Sequence, residues 1–444
     1  MRIPNTFLAP IFVLFALPAS AELVFTGAHE AAVTVIPEAS TGLEAVYVVS
    51  STSGVSISYT STGGNVTWSR YDNRGGGFAE PVSGGSQSGN TYTIAASADD
   101  MGYVIDDGDR RHCFWVVNYA NHQLQLDELT VSDESDCSRT ALNVLGQGAP
   151  ITYYTVNGRG VELSRELKLD YRTLVYDEGS SLWQESSKTD VLPSVKGHLY
   201  VDAPLCSTDF TLSGDRFLEA WGRGEHVQSE VLAARAVSAV TSATQEEHDA
   251  DNESKPETGG LGGSAPCVVT FKAVPTDAAV FREWQFSSME TFDDVQNRFQ
   301  QDELTYTFDK EGTTYVRYVC GNDDGECFYI GDVYTISIGA SKLVCPNAFS
   351  PANEDGVNDE WKVSFTSIVS FECHIFNRWG AKIATLTNPS QGWDGRYKGK
   401  FVPSGVYFYV IKAKGADGKE YNLSGDINIL NSRRNPDLGG SATE

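Results

Sequence analysis

Helical periodicity is almost missing from this chain. In its place, short runs alternating apolar and polar residues recur throughout, each bounded by Gly, Asn, Asp or Ser; Ala45-Val46-Tyr47-Val48-Val49, Val55-Ser56-Ile57-Ser58-Tyr59 and Tyr92-Thr93-Ile94-Ala95 are examples. A period of two places successive side chains on opposite faces of a strand, so each run has one face to bury and one to wet. Many such strands at short spacing, punctuated by turn residues, bury those faces by stacking sheets. The composition agrees: 21% charged residues and 42 Gly suit sandwiches better than helical bundles. The expectation is an all-β chain of tandem β-sandwich domains.

The N-terminus pairs Met1-Arg2 with the apolar run Phe7 to Leu17 and then Ala19-Ser20-Ala21, a small-x-small cleavage pattern. Residues 1–21 therefore read as a signal peptide, and the mature chain is expected to begin at Glu22. The apolar run is shorter than the roughly 20 residues a bilayer span needs, and no later stretch approaches that length, so no membrane span is expected in the mature chain. Eight cysteines in an exported chain suggest disulfides before metal or catalysis. Cys320 and Cys327 flank a turn-forming run and are expected to close a hairpin. The other expected pairs are Cys113 with Cys137, Cys345 with Cys373, and Cys206 with Cys267; buried reduced thiols are the alternative.

The net charge is −26 and unevenly spread. Residues 341–444 hold 12 Lys and Arg against 11 Asp and Glu, so the remainder carries −27. A surface this acidic repels nucleic-acid phosphates and, through its bulk field, anionic lipid; no nucleic-acid partner is expected.

Turn signals and composition shifts divide the chain. One β-sandwich is expected over 22–144, with Cys113-Phe114-Trp115-Val116-Val117 as a central buried strand. A second is expected over 145–240, with strands at Thr173–Tyr176 and His198–Val201 and an Asn157-Gly158 hairpin turn. Residues 241–264 are poor in apolar side chains and rich in charge and Gly, so a flexible linker is expected there. Over 265–340, a core-type Trp284 strand and a Gly312-preceded strand containing Tyr315-Val316-Arg317 resemble the PKD and Ig-like modules of surface proteins.

The last hundred residues carry a denser set of motifs: Pro346, Asn347, Phe349, Ser350 and Pro351; Gly356, Asn358, Asp359 and Trp361; Phe376-Asn377-Arg378-Trp379-Gly380; Trp393-Asp394-Gly395; and Gly405, Tyr407 and Tyr409 within Gly405 to Ile411. In this order they resemble the gliding-motility-associated C-terminal domain family, type IX secretion cargo of Bacteroidetes. The resemblance spans residues 341–431 and implies a β-sandwich that serves as a sorting domain, recognised by the outer-membrane type IX machinery and delivering the chain to the cell surface or beyond. Residues 432–444 form a tail that departs from the usual pattern, in which the chain ends soon after the last strand. Read physically, Gly380 serves a turn, Trp379 packs back over the sheet, and the strand from Val406 to Ile411, apolar or aromatic on both faces, is central in its sheet or meets a partner.

No nucleophile or metal signature emerges. There is no Gly-x-Ser-x-Gly elbow and no His-Glu-x-x-His, and the oxygen-rich run 353–360 fails the EF-hand spacing and reads as an Asx-turn. Trp68, Tyr71, Trp115, Trp183 and Trp221 offer either a sugar-stacking platform or core packing, with the core favoured. No cofactor or metal is expected. The resulting reading is a non-enzymatic, exported multidomain protein of adhesive or envelope-structural role, with a host or matrix ligand or glycan as further candidate partner. A carbohydrate-binding or glycan-hydrolysing passenger, or an accessory part of the secretion or gliding machinery, is the alternative.

Overall fold

A computed structural model describes residues 23–61, 65–108, 110–248, 250–351 and 356–430. The signal-peptide and tail expectations lie outside the described residues. The chain is all-β, and its contacts group it into two units: residues up to Thr173 with Ser186–Ala233, and Leu174–Glu185 with the residues from Ala234 on.

In the first unit, a four-stranded sheet faces a six-stranded one. The six-stranded sheet centres on Arg110–Asn118, which runs parallel to Ala45–Val49 and antiparallel to Met101–Asp107. Phe114 and Val116 point into the first sandwich with Ile57, Tyr59 and Trp68. Cys113, Trp115 and Val117 point the other way, into a core shared with Leu142, Leu169, Tyr171 and Phe210. Burial on both faces explains why this strand reads as a nearly unbroken apolar run.

The expected boundary at 144/145 cuts through a strand. Arg139–Gln147 pairs with Gln125–Val131 and with His198–Asp202, so the second module begins near residue 125. The Asn157-Gly158 turn joins Ile151–Tyr154 to Gly160–Leu163, with Gly158 at φ 79. At the heart of this unit the fully buried Arg165 guanidinium donates to Asp215 Oδ2 at 2.6 Å, to Ala149 O at 2.8 Å and to His122 O at 2.5 Å. Tyr119 also donates to Asp215 Oδ2, at 3.0 Å, and Asp215 Oδ1 caps the short helix Arg216–Ala220 by accepting from Leu218 N. A charge pair taken out of water is tolerable only when its remaining donors and acceptors are engaged in this way.

In the second unit, the Ig-like module packs Trp284, Phe271, Phe286 and Tyr318 between two sheets. The flexible-linker expectation for 241–264 does not hold. Ala239–Gln245 pairs along its whole length with Cys267–Pro275, and Leu261–Gly263 adds to Tyr334–Ile338. Between them the chain docks on the terminal domain. Phe365 N donates to Asn252 O and Ser254 N to Phe365 O, while Asn252 Nδ2 donates to Val363 O and Pro389 O. The physical reason is the edge of Ser364–Thr366: its backbone groups need partners, and a polar, Gly-rich segment can supply them without a hydrophobic face of its own.

The disulfide expectations are corrected as well. Cys113, Cys267, Cys320, Cys345 and Cys373 are thiols, so none of the four expected pairs forms. Cys320 lies opposite Tyr329 and Cys327 lies opposite Asn322, which leaves Cys320 and Cys327 diagonal across the hairpin, beyond disulfide reach. Cys113 sits mid-strand in the six-stranded sheet, and Cys137 in the turn between two strands of another sheet. Cys267 is sealed in the Ig-like core, and Cys345 and Cys373 belong to the terminal core.

Candidate functional site: two faces of the terminal domain

The terminal domain is a five-stranded sheet, in the order Ala348–Phe349, Glu420–Ile429, Gly405–Gly415, Ile368–Phe376, Lys382–Leu386, with the small pair Lys342–Val344 and Ser364–Thr366 beside it. The motif residues divide between its inside and its outside.

Inside, Trp361 and Trp393 exchange backbone hydrogen bonds at 2.9 and 3.0 Å, and Trp361 donates its indole N–H to Pro346 O at 2.7 Å. Trp393 packs against Phe349 and Tyr407, with ring centroids 5.4 and 5.5 Å away, and Trp361 lies 5.2 Å from Tyr409. Tyr407 donates to Pro403 O. Asn347 O receives Asn428 N, and Ser350 N donates to Asn358 O. Gly395, at φ 69, leaves room for Pro351: a Cβ there would come within 2.6 Å of Pro351 Cγ. Gly356 N donates to Asp359 Oδ2, which makes this a hydrogen-bonded turn. Among the described residues no group of three His, Cys, Asp or Glu is arranged to hold a metal.

Outside, the central place of one strand matches expectation and the placement of Trp379 departs from it. Gly405–Gly415 is central, yet only one of its faces is covered: Tyr407 and Ile411 are buried, while Val406, Phe408 and Val410 are exposed. Asn377 Oδ1 accepts from Trp379 N and Ala381 N, and Gly380 closes the turn at φ 79. That turn holds Trp379 away from the sheet, 75% exposed, rather than packed over it. Asn377, Arg378 and Trp379 then share a cavity of about 270 Å³ with Tyr397, Pro403, Gly405 and Val406. Sequence reasoning missed Tyr397; the signal was the run Arg396-Tyr397-Lys398-Gly399-Lys400, whose exposed aromatic and cations no core requires.

Elsewhere among the described residues, the following candidate groups are engaged in structure. Burial pushes the Cys320 thiol up to about 11 and that of Cys373 up to about 12, far from the thiolate a nucleophile needs at neutral pH. Trp68, Tyr71 and Trp115 lie in the core, and Trp183 and Trp221 donate their indole N–H groups to the carbonyls of Val274 and Ala31. Asp107 is buried and accepts from Tyr59 and Ser61, and Asp324 pairs with Arg235.

Two family models match the chain. Residues 343–429 match the CHU_C type IX secretion signal domain. The terminal domain is a type IX secretion signal. Residues 130–229 match a fibronectin type III domain model, in accord with the strand boundary above. Handling of the signal domain by the type IX machinery, and export of the chain, follow from the first match. Among solved structures, the chain is similar to a tetra-tandem repeat from the extending region of a large adhesion protein, at 12% identity, 86% coverage of this chain, 97% of that one and a TM-score of 0.21. It is likewise similar to three N-terminal domains of the bacteriophage RB49 Hoc capsid protein, at 11% identity, 70% and 99% coverage and a TM-score of 0.21. A third is the I9–I11 tandem of titin, at 11% identity, 64% and 90% coverage and a TM-score of 0.17. A search of curated proteins finds no match. No helix among the described residues is long and apolar enough to cross a membrane.

Proposed function

We propose that this is a non-catalytic adhesive or envelope-structural protein of the bacterial surface, sent into the periplasm by residues 1–21 and across the outer membrane by its type IX signal domain. The observation that carries the reading is the placement of that signal, at residues 343–429, behind fibronectin-like and Ig-like sandwiches. Of the aromatics singled out in the sequence, Trp68, Tyr71 and Trp115 are buried, and Trp183 and Trp221 are hydrogen-bonded to backbone carbonyls. Within the signal domain, the buried Trp361–Trp393 clasp sets the fold. An acidic passenger stays soluble and resists self-association once released.

The test is surface display. Deleting residues 342–444 is expected to leave the chain in the periplasm, protected from protease added to intact cells. Undiminished display of the truncated protein would overturn the export reading. Hydrolysis of any glycan by the purified passenger would overturn the non-catalytic one.

A further inference from the structure

Two turns meet at the open end of the terminal domain, and both carry aromatic rings flanked by cations. Trp379 is 75% exposed on one and Tyr397 is 42% exposed on the other; with Val406, at 44%, they line a single cavity. The Arg378 guanidinium lies 4.3 Å from the centroid of the Trp379 ring, Lys398 Nζ lies 5.3 Å from that of Tyr397, and the Arg396 guanidinium lies 3.7 Å from that of Phe401. Lys382 and Lys400 are also exposed on these hairpins. From Asn377 to Phe401 the charges are Arg378, Lys382, Arg396, Lys398 and Lys400 against Asp394 alone, net +4 within a chain of −26. Asp394 is already engaged by Arg396 Nε, at 3.6 Å.

We propose that this tip docks the protein onto an anionic phospholipid bilayer, Trp379 and Tyr397 seating at headgroup level while Arg378, Arg396, Lys398 and Lys400 pair with lipid phosphates. Amphipathic rings with adjacent cations are what a membrane interface favours: the ring body leaves water for the headgroup zone and the cations meet the surface potential. Charge complementarity selects the occupant. The positive tip is attracted to an anionic plane that repels the acidic remainder of the chain, so the field favours contact through this face. An apolar protein groove would satisfy Trp379 and give the cations nothing. The proposal is independent of the export reading, and its failure would leave that reading intact.

The experiment is flotation of the full-length mature protein with vesicles of phosphatidylcholine, with and without phosphatidylglycerol, at low and high salt. Binding is expected only to the anionic vesicles and is expected to fall with salt. Each cation removed is expected to weaken binding roughly five-fold. Arg396→Glu with Lys398→Glu and Lys400→Glu is then expected to abolish binding, and Trp379→Ser to weaken it. Lys412→Glu with Lys414→Glu, on a strand away from the tip, is expected to retain binding; thermal melts check that each variant is folded. No binding to either vesicle, equal binding to both, or binding indifferent to the tip variants would overturn the proposal. So would displacement by inorganic phosphate beyond that by chloride at equal ionic strength, which would mark a free-phosphate site. Binding that follows an acidic protein and not lipid would also overturn it.

Discussion

In the first unit the deepest point is ionic: Arg165 against Asp215, with Tyr119 and two carbonyls completing the shell. In the terminal domain the corresponding centre is aromatic, Trp361 and Trp393 clasped through their backbones. Both stitch together segments distant in sequence, but they fail differently. An aromatic clasp loses contact area when trimmed, whereas an ionic hub loses a partner and keeps a charge in a place from which water is excluded. The first unit should therefore be the less tolerant of single substitutions at its centre, and the more tolerant of paired ones.

The sharpest test is Asp215→Ala, which leaves the Arg165 charge buried and unpaired. Loss of about 4 kcal/mol is expected in urea unfolding of the first unit. Arg165→Met combined with Asp215→Leu is expected to cost less than half of that; equal losses for the single and paired variants would erase the distinction. Next is Trp361→Ala, expected to cost about 3 kcal/mol in the terminal domain, because truncation of a buried Trp adds a cavity to the lost transfer energy. Its effect on display should follow its effect on folding.

The outer face of the terminal domain should respond far less. Asn377→Ala removes the acceptor for two turn N–H groups and is expected to cost about 1 kcal/mol by thermal unfolding. Trp379→Ala is expected to change stability by under about 0.5 kcal/mol, since so exposed a side chain has little contact to lose. A larger loss would mean that the exposed ring serves folding after all.

The smallest expected effect is electrostatic. The Ser341 hydroxyl, donating at 2.7 Å, holds the Asp417 carboxyl below the usual carboxylate range. A lowered folded-state value stabilises the fold above the unfolded value, near about 3.9, and that stabilisation is lost as pH falls through the folded value. Ser341→Ala is therefore expected to cost a few tenths of a kcal/mol at neutral pH, after about the usual screening at an exposed site, with the deficit vanishing at strongly acid pH. A deficit independent of pH would assign the loss to the hydroxyl that Tyr421 shares.

The alternating runs such as Ala45–Val49, the terminal motif set and the doubly buried run Cys113 to Val117 were legible, because alternation and motif spacing are local properties of the chain. The turn at Asn157-Gly158 was legible for the same reason. The strap at Asn252–Ser254 was not: its composition is that of a solvated linker, and its partners are backbone groups on Ser364–Thr366, which no pattern in the strap itself reports. Trp379 was misplaced because its turn chemistry was legible while the direction in which that turn aimed the ring was not. Cysteine pairing failed similarly, since Cys320 and Cys327 flank a good turn but the register sets them on a diagonal.

By itself, then, the sequence determined the all-β class, the ordered motifs by which the terminal domain resembles a sorting domain, and the charge asymmetry between passenger and terminal domain, each read from local order, resemblance or simple counting. Only the tertiary structure decided that Arg165 meets Asp215, that the supposed linker is a strap, and that the rings and cations of two separate turns gather at one tip. Those outcomes depend on register and on contacts between distant segments, where a shift of one residue turns a side chain from core to solvent.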